Sequence, residues 1–389
     1  MKFATKCIHG GLQPDPQTGS VMTPIYQTST YAQTSPGEHQ GYEYARTQNP
    51  TRDALQRNLA ALEGGDFGIC FGSGLSAMDA VLRLLEPGDE VIASDDLYGG
   101  SYRQMVQVHG RYGIKSHFVD MRDPENVRKA LNKRTKLLWI ETPTNPMLNI
   151  VDIQALVAAT EGSEVMVCVD NTFASPYLQQ PLELGADLVL HSATKYLGGH
   201  SDVVMGAVVT QNEEIAKRLY FLQNAVGAVP GPQDCFLVLR GIKTLHLRVE
   251  RACSNAKKVV DFLLEHPEVS KVYYPGLANH PRHDVASRQM KDYGAMISFD
   301  LERDSFEAAK TVLSNTQFFI LAESLGGVES LIGHPASMTH ASIPREQRLR
   351  VGLTDSLIRL SVGVEDGNDL VEDLRKALNQ LKEEPAMVG

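Results

Sequence analysis

A lysine that follows an apolar run and two hydroxyl residues is the first feature of this sequence that could do chemistry. The segment Asp187-Leu-Val-Leu-His-Ser192-Ala-Thr194-Lys195 predicts a strand that ends near Leu190, with Lys195 just beyond it. A lysine amine with a lowered pKa forms a Schiff base with an aldehyde. The hydroxyls of Ser192 and Thr194 are suited to binding a phosphate group. Taken alone, the segment also fits a surface lysine after a strand.

A carboxylate follows a second apolar run. Val165-Met-Val-Cys-Val169 precedes Asp170, and Thr172 comes two residues later. An anion beside the nitrogen of a pyridine ring makes the ring a better electron sink for a carbanion. Asp170 precedes Lys195 by 195 − 170 = 25 residues, which leaves room for one helical crossover and one strand. As a single feature, Asp170 also fits a helix cap.

A glycine-containing turn forms the third feature. In Phe71-Gly72-Ser73-Gly74-Leu75 a predicted strand turns into a helix that continues to Leu85. Backbone N–H groups at a helix start bind phosphate, and Ser73, Gly74 and Leu75 would supply them. The turn is not a G-x-G-x-x-G nucleotide fingerprint, and by itself it fits an ordinary tight turn. An amine, a carboxylate and a phosphate-binding turn together suit pyridoxal 5'-phosphate (PLP), which carries an aldehyde, a pyridine nitrogen and a phosphate.

The elements that must position these groups follow an alternating pattern of short apolar runs and helical periodicity. This alternation predicts an α/β fold with a mostly parallel seven-stranded sheet and helices on both faces. Active sites of such sheets lie beyond the carboxyl ends of the strands, where all three features are expected to meet. The predicted strands are Phe67–Phe71, Val91–Ala93, His117–Val119, Leu137–Ile140, Val165–Val169, Leu188–Leu190 and Ala207–Val209.

Three regions are expected along the chain. Residues 1–46 are rich in Thr, Ser, Gln, Tyr and Pro and have weak periodicity, which predicts an extended arm lying on its own body or on a neighbouring subunit. Residues 47–243 form the large domain. Residues 244–389 form a smaller α+β domain, with strands at Met296–Phe299 and Ile358–Val362, a final helix at Asp369–Lys382, and an end near Pro385 that frays.

Composition narrows the function classes. The formal charge is −10 and no basic run stands out, which argues against nucleic acid as a partner. No stretch approaches about 18 apolar residues, so no membrane span is expected, and the cytoplasm is the expected location.

Five widely spaced cysteines fit unpaired thiols. We expect no metal site and interpret four histidines as structural: His191, His200, His334 and His340.

With these features in order, the sequence resembles the trans-sulfuration group of fold-type I PLP enzymes, from about Thr5 to Leu378. The resemblance adds a smaller α+β C-terminal domain to the predicted sheet and implies PLP as the cofactor. It is carried by specific motifs: Tyr42-Glu-Tyr-Ala-Arg46-Thr-Gln-Asn-Pro-Thr-Arg52, Asp95-Asp-Leu-Tyr98-Gly-Gly100, Glu141-Thr-Pro-Thr-Asn145-Pro, Asp170-Asn-Thr172, Ser192-Ala-Thr-Lys195-Tyr, Gly199-His-Ser-Asp-Val-Val-Met-Gly206, Ala322-Glu-Ser-Leu-Gly-Gly327, Met338-Thr-His340 and Arg359-Leu-Ser-Val-Gly363.

The resemblance implies a role for individual residues. Lys195 holds PLP covalently and moves protons, and Asp170 pairs with the pyridine nitrogen. Tyr98 stacks on the ring and assists catalysis as an acid or base. Other residues bind the cofactor: Ser73, Gly74, Leu75, Ser192 and Thr194 at the phosphate, Tyr44 and Arg46 from a neighbouring subunit, Asn145 near the phenolic oxygen, and Thr172 beside Asp170. Arg359 clamps the α-carboxylate of a small amino-acid substrate, helped by the backbone around Ser324. The family also implies a homotetramer built from two active dimers.

The implied activity depends on the substrate's side chain. Gly100 occupies the position where methionine γ-lyases have a cysteine, which argues against that activity. Glu43, Arg103 and Glu323 match charged positions that suit a substrate with a second amino-acid end, as cystathionine has. These three residues do not separate α,γ-elimination of cystathionine from γ-replacement on an acylated homoserine. The resemblance of residues 202–207, 221–230 and 322–331 favours the elimination, with the γ-replacement as the alternative. A PLP-fold protein without catalytic activity is a third interpretation, although every expected catalytic residue is present.

Overall fold

The computed structural model describes residues 1–341 and 345–383, and its larger sheet has seven strands. The order is β1-β7-β6-β5-β4-β2-β3, and β7 runs opposite to the other six strands. The mostly parallel sheet predicted from the sequence is therefore confirmed, and every predicted strand overlaps one of these. The strands are β1 Phe67–Phe71, β2 Glu90–Ser94, β3 Lys115–Val119, β4 Thr135–Glu141, β5 Met166–Asp170, β6 Leu188–Ser192 and β7 Gly206–Thr210.

A smaller five-stranded sheet follows in the chain, in the order β10-β11-β12-β9-β8. It confirms the smaller α+β region and contains both strands that were predicted there. The division of the chain near residue 243 stays a prediction, and the end near Pro385 lies outside the described residues. The strands are β8 Val269–Tyr273, β9 Met296–Leu301, β10 Ile320–Leu321, β11 Leu331–Gly333 and β12 Ile358–Ser361.

Helices cover both faces of the larger sheet. Alternate residues of β4 show this, because Trp139 packs in one buried cluster with α3 while Leu138 packs in another with α6. Within the described part of the chain, no helix has the length and apolar character needed to cross a membrane. The helices are α1 Phe3–His9, α2 Pro50–Glu63, α3 Gly74–Leu82, α4 Gly99–Arg103, α5 Pro124–Ala130, α6 Ile153–Thr160, α7 Ser175–Leu178, α8 Glu213–Val226, α9 Pro232–Ile242, α10 Leu245–Glu265, α11 His283–Gln289, α12 Phe306–Ser314, α13 Arg345–Arg350 and α14 Gly367–Glu383.

The first ten residues differ from the expected extended arm, because they form α1 and lie on the body of the same chain. Cys7 is fully buried, and the side chain of Asn58 donates a hydrogen bond to the carbonyl oxygen of Gly10 at 2.7 Å. A seven-residue helix is marginal in water by itself, so these tertiary contacts stabilise it. The rest of the arm extends to residue 46. Its contact with a neighbouring subunit stays a prediction.

The connection between Asp170 and Lys195 contains β6 and little helix, although its length leaves room for a longer helix. Instead of a full crossover helix it contains the single turn α7 and a 3-10 turn at Pro181–Leu184. Proline is tolerated at the start of a helix but not in its interior, and Pro176 and Pro181 both fall in this connection. The short connection still carries the chain into β6, parallel to and beside β5.

Candidate functional site

A cavity of about 400 Å³ lies at the carboxyl ends of β4, β5 and β6. The last residues of these neighbouring strands are Glu141, Asp170 and Ser192, and all three line the cavity. Thirteen residues predicted from the sequence meet here: Ser73, Gly74, Leu75, Tyr98, Asn145, Asp170, Thr172, Ser192, Thr194, Lys195, Glu323, Ser324 and Arg359.

Lys195 lies three residues beyond the end of β6 at Ser192, with its amine in the cavity. Its Nζ donates a hydrogen bond to Oγ of Ser324 at 2.9 Å. Burial and the nearby Arg359 guanidinium lower the pKa of Lys195 from 10.5 to about 8, while Glu323 acts in the opposite direction. An amine with this pKa is neutral in a useful fraction near neutral pH, which is what attack on an aldehyde requires.

Asp170 ends β5 and is held by the residues that follow it. Its Oδ1 accepts hydrogen bonds from the backbone N–H of Thr172 at 3.1 Å and from the Thr172 hydroxyl at 2.5 Å. The Thr172 hydroxyl in turn accepts the N–H of Ser192 at 2.9 Å, which ties the ends of β5 and β6 together. Burial raises the pKa of Asp170, and the bonds from Thr172 counter this shift.

The start of α3 packs directly against Ser192 at the cavity. The hydroxyl of Ser73 accepts the N–H of Ser76 at 3.0 Å and caps the helix. A Cβ added at Gly74 would lie 2.9 Å from Cβ of Ser192 and 3.1 Å from its hydroxyl. Only glycine fits this close approach, which leaves the N–H groups of the helix start open to an anion.

Thr194 lies beside this helix start and faces β7. Its hydroxyl donates to the carbonyl oxygen of Met205 and accepts the N–H of the same residue, at 3.2 and 3.0 Å. These two bonds fix the turn that connects Ser192 to Lys195. Thr194, Lys195 and the start of α3 all line the cavity.

Arg359 and Asn145 form the part of the cavity where a carboxylate is expected to bind. Nη1 of Arg359 donates to Oδ1 of Asn145 at 2.7 Å, and Nη2 donates to the carbonyl oxygen of Ser324 at 3.2 Å. Burial lowers the pKa of Arg359 to about 10, so the guanidinium stays charged at neutral pH. A buried, oriented guanidinium is suited to bidentate binding of a carboxylate.

Tyr98 lines the same cavity and is 37% exposed. Its ring lies over Gly100, where an added Cβ would come within 2.3 Å of Cε1 of the ring. The glycine that distinguishes this chain from methionine γ-lyases in sequence is therefore also the residue against which the ring packs.

Glu141 is an ionisable residue of the cavity for which the sequence predicts no role. It is 5% exposed, and its Oε2 accepts the backbone N–H of Tyr98 at 3.1 Å. Burial and the neighbouring Asp170 raise its pKa well above the usual range. A signal was present, since Glu141 directly follows the apolar run Leu137–Ile140 in the way that Asp170 follows Val165–Val169.

Four predicted residues do not line the cavity of the single chain: Glu43, Tyr44, Arg46 and Arg103. Arg46 instead donates to the carbonyl oxygen and to Oδ1 of Asn224, at 2.7 and 2.8 Å, and its guanidinium lies 5.6 Å from the ring centroid of Tyr44. All four side chains are exposed. Tyr44 and Arg46 were expected to act on a neighbouring subunit, so their roles and those of Glu43 and Arg103 stay predictions.

The histidines near the site make bonds to protein groups. His191 contacts Oε1 of Glu63 at 2.5 Å, and His340 contacts the carbonyl oxygen of Asn145 at 3.0 Å. His200 and His334 contact the carbonyl oxygens of Gly198 and Asp355. Over residues 1–341 and 345–383, no cluster of His, Cys, Asp and Glu has an arrangement that could hold a metal ion.

The residues in the cavity fit PLP. The amine of Lys195 has a lowered pKa, Asp170 offers a carboxylate at the sheet edge, and Gly74 clears the start of α3 for a phosphate. Each part matches one functional group of the cofactor.

Comparison with known proteins gives a consistent result. The sequence model of the family described as "Cys/Met metabolism PLP-dependent enzyme" matches residues 4–379. The chain is 54% identical over 381 residues to a cystathionine gamma-lyase of Bacillus subtilis (strain 168), covering 98% of this chain and 100% of that protein. It is 54% identical over 376 residues to a cystathionine beta-lyase of Coxiella burnetii, covering 96% and 97%. The crystal structure of cystathionine gamma synthase from Xanthomonas oryzae pv. oryzae in complex with cystathionine superimposes with a TM-score of 0.95 at 43% identity, covering 98% and 99%.

Proposed function

The chain belongs to the family of Cys/Met metabolism PLP-dependent enzymes, and we propose that it cleaves L-cystathionine by α,γ-elimination. The products are L-cysteine, 2-oxobutanoate and ammonia, with one water consumed. The observation that carries the proposal is the presence of both Arg359 and Glu323 in the lining of one cavity. A buried guanidinium suits the α-carboxylate, and an exposed carboxylate at the mouth suits the ammonium group at the far end of cystathionine. Relatives named for cystathionine chemistry add support.

The bound PLP supplies the electron sink that stabilises a carbanion at the substrate's Cα. Arg359 binds the α-carboxylate and so orients the Cα–H bond toward Lys195. The neutral amine of Lys195 removes the Cα proton and then transfers protons at Cβ, after which the γ-sulfur leaves as the thiol of cysteine. Asp170 provides the negative charge at the sheet edge. Ser324, which accepts a hydrogen bond from Nζ, keeps the amine directed into the cavity.

Two other activities of the family begin with the same proton removal. A γ-synthase acts on an O-acyl-L-homoserine and adds cysteine at Cγ, and a relative solved with cystathionine has that name. A β-lyase breaks the other carbon–sulfur bond of cystathionine and yields homocysteine, pyruvate and ammonia, and a relative of equal identity has that name. All three use the same Arg359, Lys195 and Asp170.

The product mixture separates these activities. The purified protein with PLP is incubated with L-cystathionine alone, and 2-oxobutanoate, pyruvate, cysteine and homocysteine are quantified. The proposal expects 2-oxobutanoate and cysteine in equal amounts. Pyruvate with homocysteine as the main products would assign the β-lyase activity. Faster formation of cystathionine from O-acyl-L-homoserine and cysteine would assign the synthase, and no turnover of either substrate would support a PLP-binding protein without catalysis.

The assembly and location are part of the same proposal. We infer a homotetramer of two dimers in the cytoplasm, in which Tyr44 and Arg46 of one subunit reach the phosphate site of the next. Their exposure in the single chain supports this arrangement. Arg46 has five N–H donors in a planar fork, the geometry that binds phosphate well.

A further inference from the structure

A second carboxyl group lies beside Asp170 in the cavity. Glu141 ends β4 as Asp170 ends β5, and the two are partners in the parallel register. Because side chains alternate between the two faces of a sheet, partners in register on neighbouring strands share a face. Both residues line the cavity. The proposed roles of Lys195, Asp170 and Arg359 give Glu141 no part in binding or proton transfer.

The contacts of Glu141 lead to Tyr98. Its Oε2 accepts the N–H of Tyr98, the residue that precedes α4. The carbonyl oxygen of Tyr98 accepts the N–H groups of Ser101 and Tyr102, at 2.9 and 3.1 Å, and these bonds begin the helix. Glu141 therefore holds the backbone from which both α4 and the Tyr98 ring project.

The ring itself has little freedom once this backbone is fixed. It lies against Gly100, in a space that any side chain at position 100 would occupy. A shift of the backbone at Tyr98 therefore moves the ring relative to the cavity. An aromatic ring that stacks on a cofactor gains its interaction only in offset or edge geometries at close range.

The protonation state of Glu141 is compatible with its hydrogen bond to Tyr98. Burial and the adjacent Asp170 raise the pKa of Glu141 well above its usual range, and the N–H groups of Tyr98 and Asn145 act in the opposite direction. Two neighbouring buried carboxyls do not both ionise without cost. A neutral Glu141 still accepts the N–H of Tyr98 through its carbonyl oxygen and leaves the negative charge on Asp170.

We propose that Glu141 is a positioning residue, which sets the height and angle of the Tyr98 ring over the cofactor by holding the Tyr98 backbone N–H. The inference rests on the proposed stacking role of Tyr98. It predicts that glutamine replaces Glu141 well, because the amide oxygen accepts the same N–H. It predicts that aspartate does not, because its carboxyl is drawn back by one methylene group.

A double-mutant cycle tests the inference, with PLP affinity of the apoenzyme as its first measurement. In the native background, Glu141→Ala and Glu141→Asp weaken PLP binding by roughly three- to tenfold, the range of an aromatic stacking contact. In the Tyr98→Ala background the same changes alter PLP affinity by no more than about twofold, the limit for independent sites. Glu141→Gln stays within about twofold of the native protein in both backgrounds.

The visible absorption and circular dichroism of bound PLP provide the second measurement. Glu141→Asp changes the dichroism of the cofactor band when Tyr98 is present and leaves it unchanged in the Tyr98→Ala background. Equal effects of Glu141→Asp in both backgrounds would overturn the inference, since Glu141 would then act on the fold or on Asp170. If the native protein itself shows no PLP band, the proposed function fails instead, and the two failures are distinct. Should Glu141→Ala not fold, the Asp and Gln variants decide the outcome alone.

Discussion

Lys195 and Ser324 meet in the cavity, with Nζ of the lysine donating to the serine hydroxyl at 2.9 Å. They are 129 residues apart in sequence, since Lys195 follows β6 of the larger sheet and Ser324 lies between β10 and β11 of the smaller one. Ser324 has a φ of +120°, a conformation that non-glycine residues rarely adopt and that clusters at functional sites. The smaller sheet thus helps to place the amine on which the proposed chemistry depends.

The lowered pKa of Lys195 predicts the pH dependence of PLP incorporation. The neutral amine is the reactive form, and its fraction rises as the pH increases toward about 8. We expect the rate of PLP uptake by the apoenzyme to rise with a midpoint near pH 8 and then level off. Arg359→Gln raises this midpoint because it removes a positive charge, and Glu323→Gln lowers it because it removes a negative one. A midpoint near 10.5, the ordinary lysine value, would contradict the burial of the amine.

Gly74→Ala tests the phosphate-binding turn. The added Cβ would lie 2.9 Å from Cβ of Ser192, so Ser192 or the start of α3 must shift. We expect PLP affinity to fall by about tenfold, the cost of losing one hydrogen bond to a charged group, measured by equilibrium binding to the apoenzyme. Gly72→Ala is the matched control, because its Cβ meets its nearest atom at an ordinary 3.8 Å. Equal PLP affinity in both variants would argue against a phosphate at this turn.

Arg359→Lys tests the carboxylate site. The variant keeps the positive charge but loses the planar fork, and Oδ1 of Asn145 loses its donor from Nη1. We expect kcat/KM for the amino-acid substrate to fall by roughly 10- to 100-fold, mainly through KM. Arg83→Lys is the control, because that arginine pairs with Asp79 in an exposed i,i+4 contact of small energetic weight. A loss confined to kcat would place Arg359 in a different role.

Mixing two inactive variants tests whether neighbouring subunits share a site. Lys195→Ala lacks the amine, and Arg46→Ala lacks the guanidinium that we propose reaches the phosphate of the next subunit. After dissociation and reassembly of an equal mixture, random pairing in a two-fold dimer restores about a quarter of the native sites. Activity is measured before and after mixing, at a PLP concentration that saturates the native protein but not Arg46→Ala. No gain in activity would mean that Arg46 serves its own chain, where it now contacts Asn224.

Much of the site could be predicted because its residues directly follow apolar runs. Lys195, Asp170 and Gly74 each come just after a strand, and parallel strands bring their carboxyl ends to one edge. Glu141 has the same position, yet its role depends on the register between β4 and β5 and on its bond to Tyr98. Those are long-range contacts that no local pattern reveals.

Other differences arise from tertiary contacts and from proline. Helix α1 was missed because its periodicity is weak, and its stability depends on contacts of Cys7 and Gly10 with the body of the chain. The connection after Asp170 contains only single turns of helix, because Pro176 and Pro181 interrupt longer helices there. The contact of Lys195 with Ser324 joins two sheets and could be expected only through the family resemblance.

The most direct test of the account is to reduce the PLP-loaded protein with borohydride and map the labelled peptide by mass spectrometry. If Lys195 holds PLP, the yellow colour is lost and a phosphopyridoxyl group is found on Lys195 alone. Lys195→Ala should then have no label, whereas Lys217→Ala, which removes an exposed lysine that pairs with Glu213, should be labelled like the native protein. A label on another lysine, or none in the native protein, would contradict the account.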